Sequence, residues 1–189
     1  MDLEYRATEL FAAHVEAVTA AAALAPRLAQ AAHRLTDTFL QGGKVLCAGG
    51  REGLGLARQF ARQMLHCHER ERLGLPALVL DPCVPAAGGD PAQHMIQQLA
   101  ALGRAGDLLL LVEPSAEELA RLRPLPAAAR QREIPVLLLC DAAAETDPPG
   151  ERDLLLPVPG DSPARVLEVQ QLALHVLCDL IDTQLLGSH

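Results

Sequence analysis

A glycine-rich turn follows the first strongly apolar run and is well suited to hold a small molecule. The apolar residues 45–48 stop at two glycines, and a helix-like pattern begins near residue 52. A strand, a tight turn and a helix N-terminus leave backbone amides free to attract an anion such as phosphate, although Glu52 would repel it. The spacing is not that of a dinucleotide site. The predicted ligand-pocket residues here are Gly49, Gly50, Arg51, Glu52 and Gly53.

Acidic residues dominate a second turn, which follows the apolar run 108–112. Ser115 can cap a helix and is predicted to line the same pocket. Glu113, Glu117 and Glu118 would each repel a dianion by on the order of a few kcal/mol at ~4–6 Å. They could instead bind a hard cation, although a solvated helix N-terminus is favoured. The glycine turn could therefore be a ligand site or only a sharp strand-to-helix connection.

The histidines are the remaining candidates for proton transfer or metal binding. His175 lies on the predicted C-terminal helix and could be a general base, although a core or inter-subunit histidine is favoured. His66 and His68 flank Cys67 at the end of a predicted helix, where their side chains diverge. We expect no metal and no cofactor, and His175 is at most a vestigial catalytic residue.

The composition indicates a single globular domain that does not bind nucleic acid directly. The chain has 189 residues, 50% of them hydrophobic, and its formal net charge of −8 disfavours contact with a polyanion. No apolar run approaches the ~20 residues of a membrane span, and no signal peptide is found. We therefore expect a cytoplasmic protein without membrane contact. Three of the five cysteines lie in apolar runs typical of buried thiols, namely Cys47, Cys140 and Cys178.

Apolar runs alternate with helical patterns after residue 43, which predicts a parallel sheet covered on both faces. Two N-terminal helices, over residues 5–23 and from Pro26, are predicted to form a hairpin outside the core. A long last helix runs from Ser162 to about Leu186. The five strands are predicted at residues 44–48, 77–80, 108–112, 135–140 and 154–158.

The whole chain is predicted to be one domain with three parts. These are the helical hairpin (1–42), a doubly wound core (43–160) and the C-terminal helix (161–187). Four arginines within residues 121–132 are interpreted as a solvated loop face, because prolines flank them and the net charge is negative.

Four longer segments carry a resemblance to a known family. They are F-L-Q-G-G-K-V-L-C-A-G (39–49), E-R-E-R-L-G-L-P-A-L-V-L (69–80), G-R-A-G-D-L-L-L-L (103–111) and E-V-Q-Q-L-A-L-H-V-L-C-D-L-I-D (168–182). The chain resembles the SIS (sugar isomerase) family, in the branch of phosphoheptose isomerases (GmhA) and initiator-associating proteins (DiaA). The last segment is more similar to DiaA. The resemblance implies a three-layer α/β sandwich with a five-stranded parallel sheet, assembled as a homotetramer that is a dimer of dimers.

The chain differs from the isomerases of this family at several functional positions. The resemblance places Gly50 and Gly53 where the isomerases hold phosphate with Asn and Ser. It places Gln59 and Gln63 where they have a His and a Glu for metal binding or acid–base chemistry, and Leu167 where they have a Gln. Amide side chains do not transfer protons near neutral pH. We therefore expect no conversion of sedoheptulose 7-phosphate to D-glycero-D-manno-heptose 7-phosphate.

A third segment also differs from the isomerases, and the end of the last helix suggests a protein partner. Residues 113–118 replace an S-T-S-G-N-S phosphate cradle and keep only Ser115. The resemblance implies a non-catalytic DiaA-like scaffold that binds the replication initiator DnaA and promotes its cooperative assembly at the origin. DiaA proteins dock DnaA partly through the apolar end of the last helix, which Leu185 and Leu186 match, with Asp182 on the same face. The two leucines could equally pack against the core. A phosphoheptose isomerase and a metabolite sensor are the alternatives.

Overall fold

The chain forms a five-stranded parallel sheet, as the alternating pattern predicts. The computed structural model describes residues 2–82 and 89–187. The strands are β1 (Val45–Ala48), β2 (Ala77–Val79), β3 (Leu108–Glu113), β4 (Val136–Asp141) and β5 (Leu154–Val158). Their order in the sheet is β2-β1-β3-β4-β5, and every neighbouring pair is parallel. Alternate side chains of each strand point to opposite faces, so continuous apolar runs fill the core on both sides.

Helices cover both faces of the sheet and complete a three-layer sandwich. They are α1 (Leu3–Ala21), α2 (Ala25–Leu40), α3 (Gly53–His66), α4 (Pro91–Leu102), α5 (Ala116–Leu122), α6 (Pro124–Gln131) and α7 (Pro163–Leu186). Side chains of α2, α3 and α7 share one apolar core with the sheet, and those of α4, α5 and α6 share a second core on the other face. The predicted fold class is thereby confirmed, and each predicted strand lies within one residue of the observed one.

The N-terminal helices form one long helical segment in place of the predicted hairpin. Only a 3₁₀ turn, Ala22–Leu24, joins α1 to α2, so no loop is available to reverse the chain, and both helices contact α7. By length and hydropathy alone, Leu3–Leu40 is long and apolar enough to cross a bilayer, but α2 packs into the core. No residue of α1 is buried. Its exposed large apolar residues are Leu3, Tyr5, Leu10, Phe11 and Val15.

The arginine-rich segment 121–132 is helical, which corrects its interpretation as a loop. Helix α5 ends at Leu122 and α6 begins directly at Pro124. A proline in the first turn of a helix costs no hydrogen bond, because the N–H it lacks would have no partner there. Leu125 and Ala129 of α6 are buried in the second core and hold the helix against the sheet.

The three cysteines predicted to be buried thiols are confirmed as buried. Burial raises the pKa of Cys47 above its ordinary range and raises the pKa of Cys140 and of Cys178 to about 12. These thiols therefore stay protonated and pack as small apolar side chains. Residues 83–88, which include Cys83, lie outside the described residues.

Candidate functional site

The predicted pocket lies at the carboxyl ends of β1 and β3, which are neighbours in the sheet. After β1 the chain crosses to β2 on one side, and after β3 it crosses to β4 on the other side. Such a switch point is where open α/β sheets commonly bind ligands. Gly49 and Gly50 form the turn that leads from β1 into α3. Ser115 caps α5, because its hydroxyl accepts a hydrogen bond from the Glu118 amide at 3.4 Å.

The carboxylate of Glu113 occupies this turn. Its Oε2 accepts a hydrogen bond from the Gly50 N–H at 2.8 Å, and its Oε1 accepts one from the Ser115 N–H at 3.1 Å. The backbone of Gly53 also favours the charged form of this carboxylate. Glu113 has no exposed surface. The amides that predict an anion site therefore bind an anion that the chain itself supplies.

Burial sets the ionisation of this carboxyl group. It raises the pKa of Glu113 from 4.5 to about 7, although the backbone N–H groups of Ser115, Gly50 and Gly53 act in the opposite direction. The neighbouring carboxylate of Glu118 raises the pKa further. Desolvation disfavours the charged form, and the backbone N–H groups favour it, so a raised pKa means that desolvation is the larger effect. Glu113 therefore changes charge near neutral pH.

Two glycines are required by the close packing around Glu113. A Cβ at Gly50 would lie 2.7 Å from Glu113 Oε2, and a Cβ at Gly53 would lie 1.8 Å from the carbonyl oxygen of Val112. The second contact is with backbone, so any side chain at residue 53 would force α3 away from β3. The Ser that the resemblance implies at residue 53 does not fit this backbone, and the Asn that it implies at residue 50 would have to displace the Glu113 side chain. The start of α3 and the Glu113 side chain together close the cleft.

Only part of the predicted acidic cluster lies in the cleft. Glu118 is partly buried beside Gly50, since its Oε2 would be 3.3 Å from a Cβ at that residue. Glu117 is exposed and pairs with Arg121 on the surface of α5. The prediction of a solvated helix N-terminus is therefore wrong for Glu113, because backbone amides hold this carboxylate in the protein interior.

The remaining residues of the predicted pocket divide into two groups. Gly49 and Gly53 are buried, Gly49 against the backbone of Gly53 and Leu54, and Gly53 against the backbone of Val112 and Glu113. Arg51 and Glu52 are exposed, and the Glu52 side chain makes no capping hydrogen bond to α3. Arg51 and Glu52 thus border the cleft without forming its interior. A signal for Glu113 was available in the sequence, since the residue directly continues an apolar strand.

A second polar cluster lies between α3 and α7, at positions that the resemblance assigns to acid–base chemistry. Gln59 Nε2 lies 3.0 Å from His175 Nε2, and Gln171 Nε2 donates to Gln59 Oε1 at 3.2 Å. Because Gln171 engages the Gln59 carbonyl oxygen, the Gln59 NH₂ group faces the imidazole. His175 Nε2 is then an unprotonated acceptor, and the ring is neutral. The glutamine that reaches this cluster is Gln171, one helical turn beyond Leu167.

His68 completes the second cluster, although the sequence predicts only that it lies at a helix end and diverges from His66. Gln63 Nε2 lies 2.9 Å from His68 Nδ1, and the Cys178 thiol donates to Gln63 Oε1 at 3.6 Å. The rings of His68 and His175 lie 4.8 Å apart between centroids. Burial, and secondly the nearby His68, lower the pKa of His175. Cys67 has a φ of 115°, which turns the chain after α3. Helical spacing was expected for His66 and His68, so the sequence did not predict this turn.

The second cluster offers imidazole and amide groups and few metal ligands. Across residues 2–82 and 89–187, no three His, Cys, Asp or Glu side chains are grouped in a way that could hold a metal ion. Zinc sites use His, Cys and carboxylate ligands, so the side chains of Gln59 and Gln63 do not fit a zinc ion. His175 is only partly buried and lies where α3 meets α7.

The end of α7 has a buried side and an exposed side. Asp182 is 1% exposed, and its Oδ1 lies 2.5 Å from Arg72 Nε, so the prediction that Asp182 faces a partner is corrected. Arg72 also donates to the backbone carbonyl of Met64 at 2.7 Å. Leu185 packs partly against the core, whereas Leu186 is 44% exposed. Of the three predicted docking residues, Leu186 is thus the most accessible.

Comparison with known proteins identifies the family. The chain is 36% identical over 174 residues to a phosphoheptose isomerase of Thiobacillus denitrificans, covering 89% of this chain and 88% of that protein. It is 33% identical over 174 residues to the DnaA initiator-associating protein DiaA of Klebsiella pneumoniae, covering 89% of each. The chain belongs to the SIS family, in its phosphoheptose isomerase and DiaA branch. No family model matches the sequence.

The structural comparison agrees with this assignment to the SIS family. A phosphoheptose isomerase from Francisella tularensis superimposes with a TM-score of 0.85 at 29% identity, covering 97% of this chain and all of that one. The sequence identities to the isomerase and to DiaA differ by only three percentage points, 36% against 33%. Overall similarity therefore does not separate the two activities within the SIS family, and the choice between them depends on the residues of the cleft.

Proposed function

We propose that this SIS-family chain is a non-catalytic scaffold of the DiaA type, which binds DnaA in the cytoplasm and promotes its assembly at the replication origin. The observation that carries the absence of catalysis is the glutamine–histidine cluster between α3 and α7. Gln59 and Gln63 stand where the isomerases of the family have proton-transferring or metal-binding side chains, and both engage histidines as hydrogen-bond donors. Neither amide can accept a proton near neutral pH.

The closed cleft supports the same proposal. A sugar phosphate would have to displace Glu113 from the amides of Gly50, Gly53 and Ser115. Its dianion would also approach the carboxylate of Glu118, at a cost on the order of a few kcal/mol if the separation is ~4–6 Å. Each 1.4 kcal/mol lowers affinity about tenfold. Phosphate binding and proton transfer are thus both weakened, by different residues.

Leu186 is the residue through which we expect DnaA to dock. A relative of this chain, DiaA of Klebsiella pneumoniae, is named for association with that initiator. The side chain is 44% exposed at the end of α7, and Arg70 Nη1 donates to the Gly187 carbonyl at 3.0 Å, which holds the helix end in place. An exposed apolar side chain on a fixed helix end is a suitable anchor for a protein partner.

We further propose that the chain assembles as a homotetramer, a dimer of dimers. The exposed apolar side chains of α1 and a groove between the N-terminal helices and α7 would be covered by a second copy. A tetramer presents several copies of the Leu186 surface and so raises the effective concentration of bound DnaA molecules. The groove is lined by apolar residues that include Val18, Leu28, Leu172 and Val176.

Capture of purified DnaA on the immobilised chain tests this proposal. We expect the wild type to retain DnaA and the Leu185→Ala, Leu186→Ala double variant to lose most of it. Leu102→Ala is the matched control, because Leu102 is 43% exposed at the end of α4 on the other face of the sheet. Equal capture by all three proteins would remove the two leucines from the docking surface. No capture by the wild type would end the scaffold proposal.

The second candidate function is phosphoheptose isomerisation, which the names of the relatives favour. Three isomerases of the family are 34–36% identical to this chain over most of its length. An assay with sedoheptulose 7-phosphate, with and without added Zn²⁺, separates the two functions. The scaffold proposal expects no turnover above that of buffer, and clear turnover would replace it with the enzyme. A third candidate, a sensor of a metabolite without phosphate, would show as a ligand-dependent rise in melting temperature.

A further inference from the structure

We propose that Glu113 is a built-in occupant of the anion site, whose carboxylate binds in place of a phosphate group and keeps the cleft closed to phosphate esters. The inference rests on the proposed non-catalytic function, whose cleft it describes. It does not depend on which protein partner the scaffold binds. Glu113 would thus be an internal ligand. The turn would be able to bind an anion, and the Glu113 carboxylate would occupy it.

The contacts of Glu113 are those of a bound anion. The Gly50 N–H donates to Oε2 from the turn before α3, and the Ser115 N–H donates to Oε1 from the turn before α5. The backbone of Gly53 also favours the charged form. A carboxylate that is removed from water is tolerated only where donors of this kind satisfy it. Glu113 is the last residue of β3, and its side chain is fully buried.

The glycines at residues 50 and 53 are part of the arrangement that holds Glu113 in the anion site. Gly50 leaves room for Glu113 Oε2, which would be 2.7 Å from a Cβ at that position. Gly53 lets the first turn of α3 approach the carbonyl of Val112. The three residues therefore form an interdependent set, because each supplies the space or the donors that the others need. Loss of the ligand-binding side chains alone would not require glycines that make room for the Glu113 carboxylate.

It follows that the amides should bind an external anion once Glu113 is shortened. Glu113→Ser removes the carboxylate and leaves the three backbone donors and both glycines. Inorganic phosphate is the probe, because it has the charge and size of the group that the carboxylate replaces. We expect the apparent affinity of the variant for phosphate to exceed that of the wild type by about tenfold or more, since the competing anion is gone.

Thermal unfolding of the full chain in phosphate, compared with chloride at equal ionic strength, measures this difference. We expect the melting temperature of Glu113→Ser to rise with phosphate concentration, while the wild type and Glu117→Ser show only the common salt effect. Glu117→Ser is the matched control, because it removes an exposed carboxylate from the same helix start. Equal stabilisation of the wild type and Glu113→Ser, or no specific stabilisation of a folded Glu113→Ser, would overturn the proposal.

Measurements on the wild type keep the proposal testable even where the variant does not fold. At pH 8, phosphate should leave the amide resonances of Gly50 and Ser115 unchanged in two-dimensional NMR spectra. Lowering the pH from 8 to 6 without phosphate should move both resonances together, because their common acceptor is protonated. Saturable movement with phosphate at pH 8 would overturn the proposal. DnaA capture reports on the proposed partner independently, so failure of one test does not imply failure of the other.

Discussion

At residue 113, a carboxylate group meets two opposing requirements. Its three backbone donors favour the charged form, and the absence of water around it favours the neutral form. The pKa of about 7 shows that the loss of solvation is the larger of the two. An external phosphate group would face the same loss of solvation and would also have to displace Glu113. The chemistry of the cleft is therefore decided by one side chain and the two glycines beside it.

The raised pKa of Glu113 predicts how stability depends on pH. The folded chain binds this proton more tightly than the unfolded chain, so the contribution of Glu113 to stability falls as the pH rises from 4.5 to about 7. The fall is on the order of 3 kcal/mol, because one pKa unit corresponds to about 1.36 kcal/mol. Urea unfolding at several pH values should show this slope in the wild type and a flatter one in Glu113→Gln. Parallel curves for the two proteins would contradict the assignment.

The interdependence of Gly50 and Glu113 predicts a coupling in a double-mutant cycle. Gly50→Asn should destabilise the wild type by roughly 1–3 kcal/mol, because the new side chain meets Glu113 Oε2. In the Glu113→Ser background the same substitution should cost less, by about 1 kcal/mol or more. Denaturant unfolding of the four proteins gives the coupling energy. Costs that add to within about 0.5 kcal/mol would show that the two sites are independent.

Among the elements, α7 organises one face of the molecule, and a buried ion pair fixes its C-terminal end. Arg72, from the segment between α3 and β2, pairs with Asp182 of α7, and both side chains are 3% exposed or less. Arg72 also bonds the carbonyls of Gln63 and Met64 at the end of α3. The pair therefore ties α3, the following segment and α7 together beneath the proposed docking surface.

Removal of one partner of this pair should be strongly destabilising. Arg72→Ala should lower the free energy of unfolding by about 3–5 kcal/mol, because Asp182 would remain buried without a partner. Arg121→Ala should cost less than about 1 kcal/mol, since its pair with Glu117 is 63% and 78% exposed. Urea unfolding of both variants gives the comparison. A small cost for Arg72→Ala would mean that the pair is less shielded from water than its burial indicates.

The elements were easier to predict from the sequence than their polar contacts. All five strands follow from continuous apolar runs, because a strand buried on both faces needs such a run. Helix α6 was missed because the prolines around the arginines favour a loop, although a proline in the first turn is compatible with a helix. The role of Asp182 depends on Arg72, which is 110 residues away in sequence. Glu113 and His68 likewise acquire their surroundings only through the tertiary fold.

At the scale of the whole molecule, α1 presents an exposed apolar face. None of the 19 residues of α1 is buried, although the helix carries several large apolar side chains. Exposed apolar surface of this kind is a common mark of a protein interface. A symmetric assembly would cover α1 and would bring several copies of the α7 end onto one particle.

Charged substitutions on α1 should therefore change the oligomeric state. The Leu10→Glu, Phe11→Glu double variant should shift the particle mass from that of a tetramer to that of a smaller species, because two like charges would be buried in the interface. Leu102→Glu on α4 should leave the mass unchanged. Size-exclusion chromatography with light scattering measures all three proteins. A monomeric wild type, or an unchanged double variant, would contradict the assignment of α1 to the assembly interface.

The central claim is that Glu113 closes the cleft to phosphate esters, and a crystal structure tests it most directly. Crystals of the wild type grown at pH 8 with excess sedoheptulose 7-phosphate should show Glu113 Oε2 on the Gly50 amide and no sugar phosphate at the start of α3. A sugar phosphate bound to the amides of Gly50 and Ser115, with Glu113 displaced from them, would contradict the account.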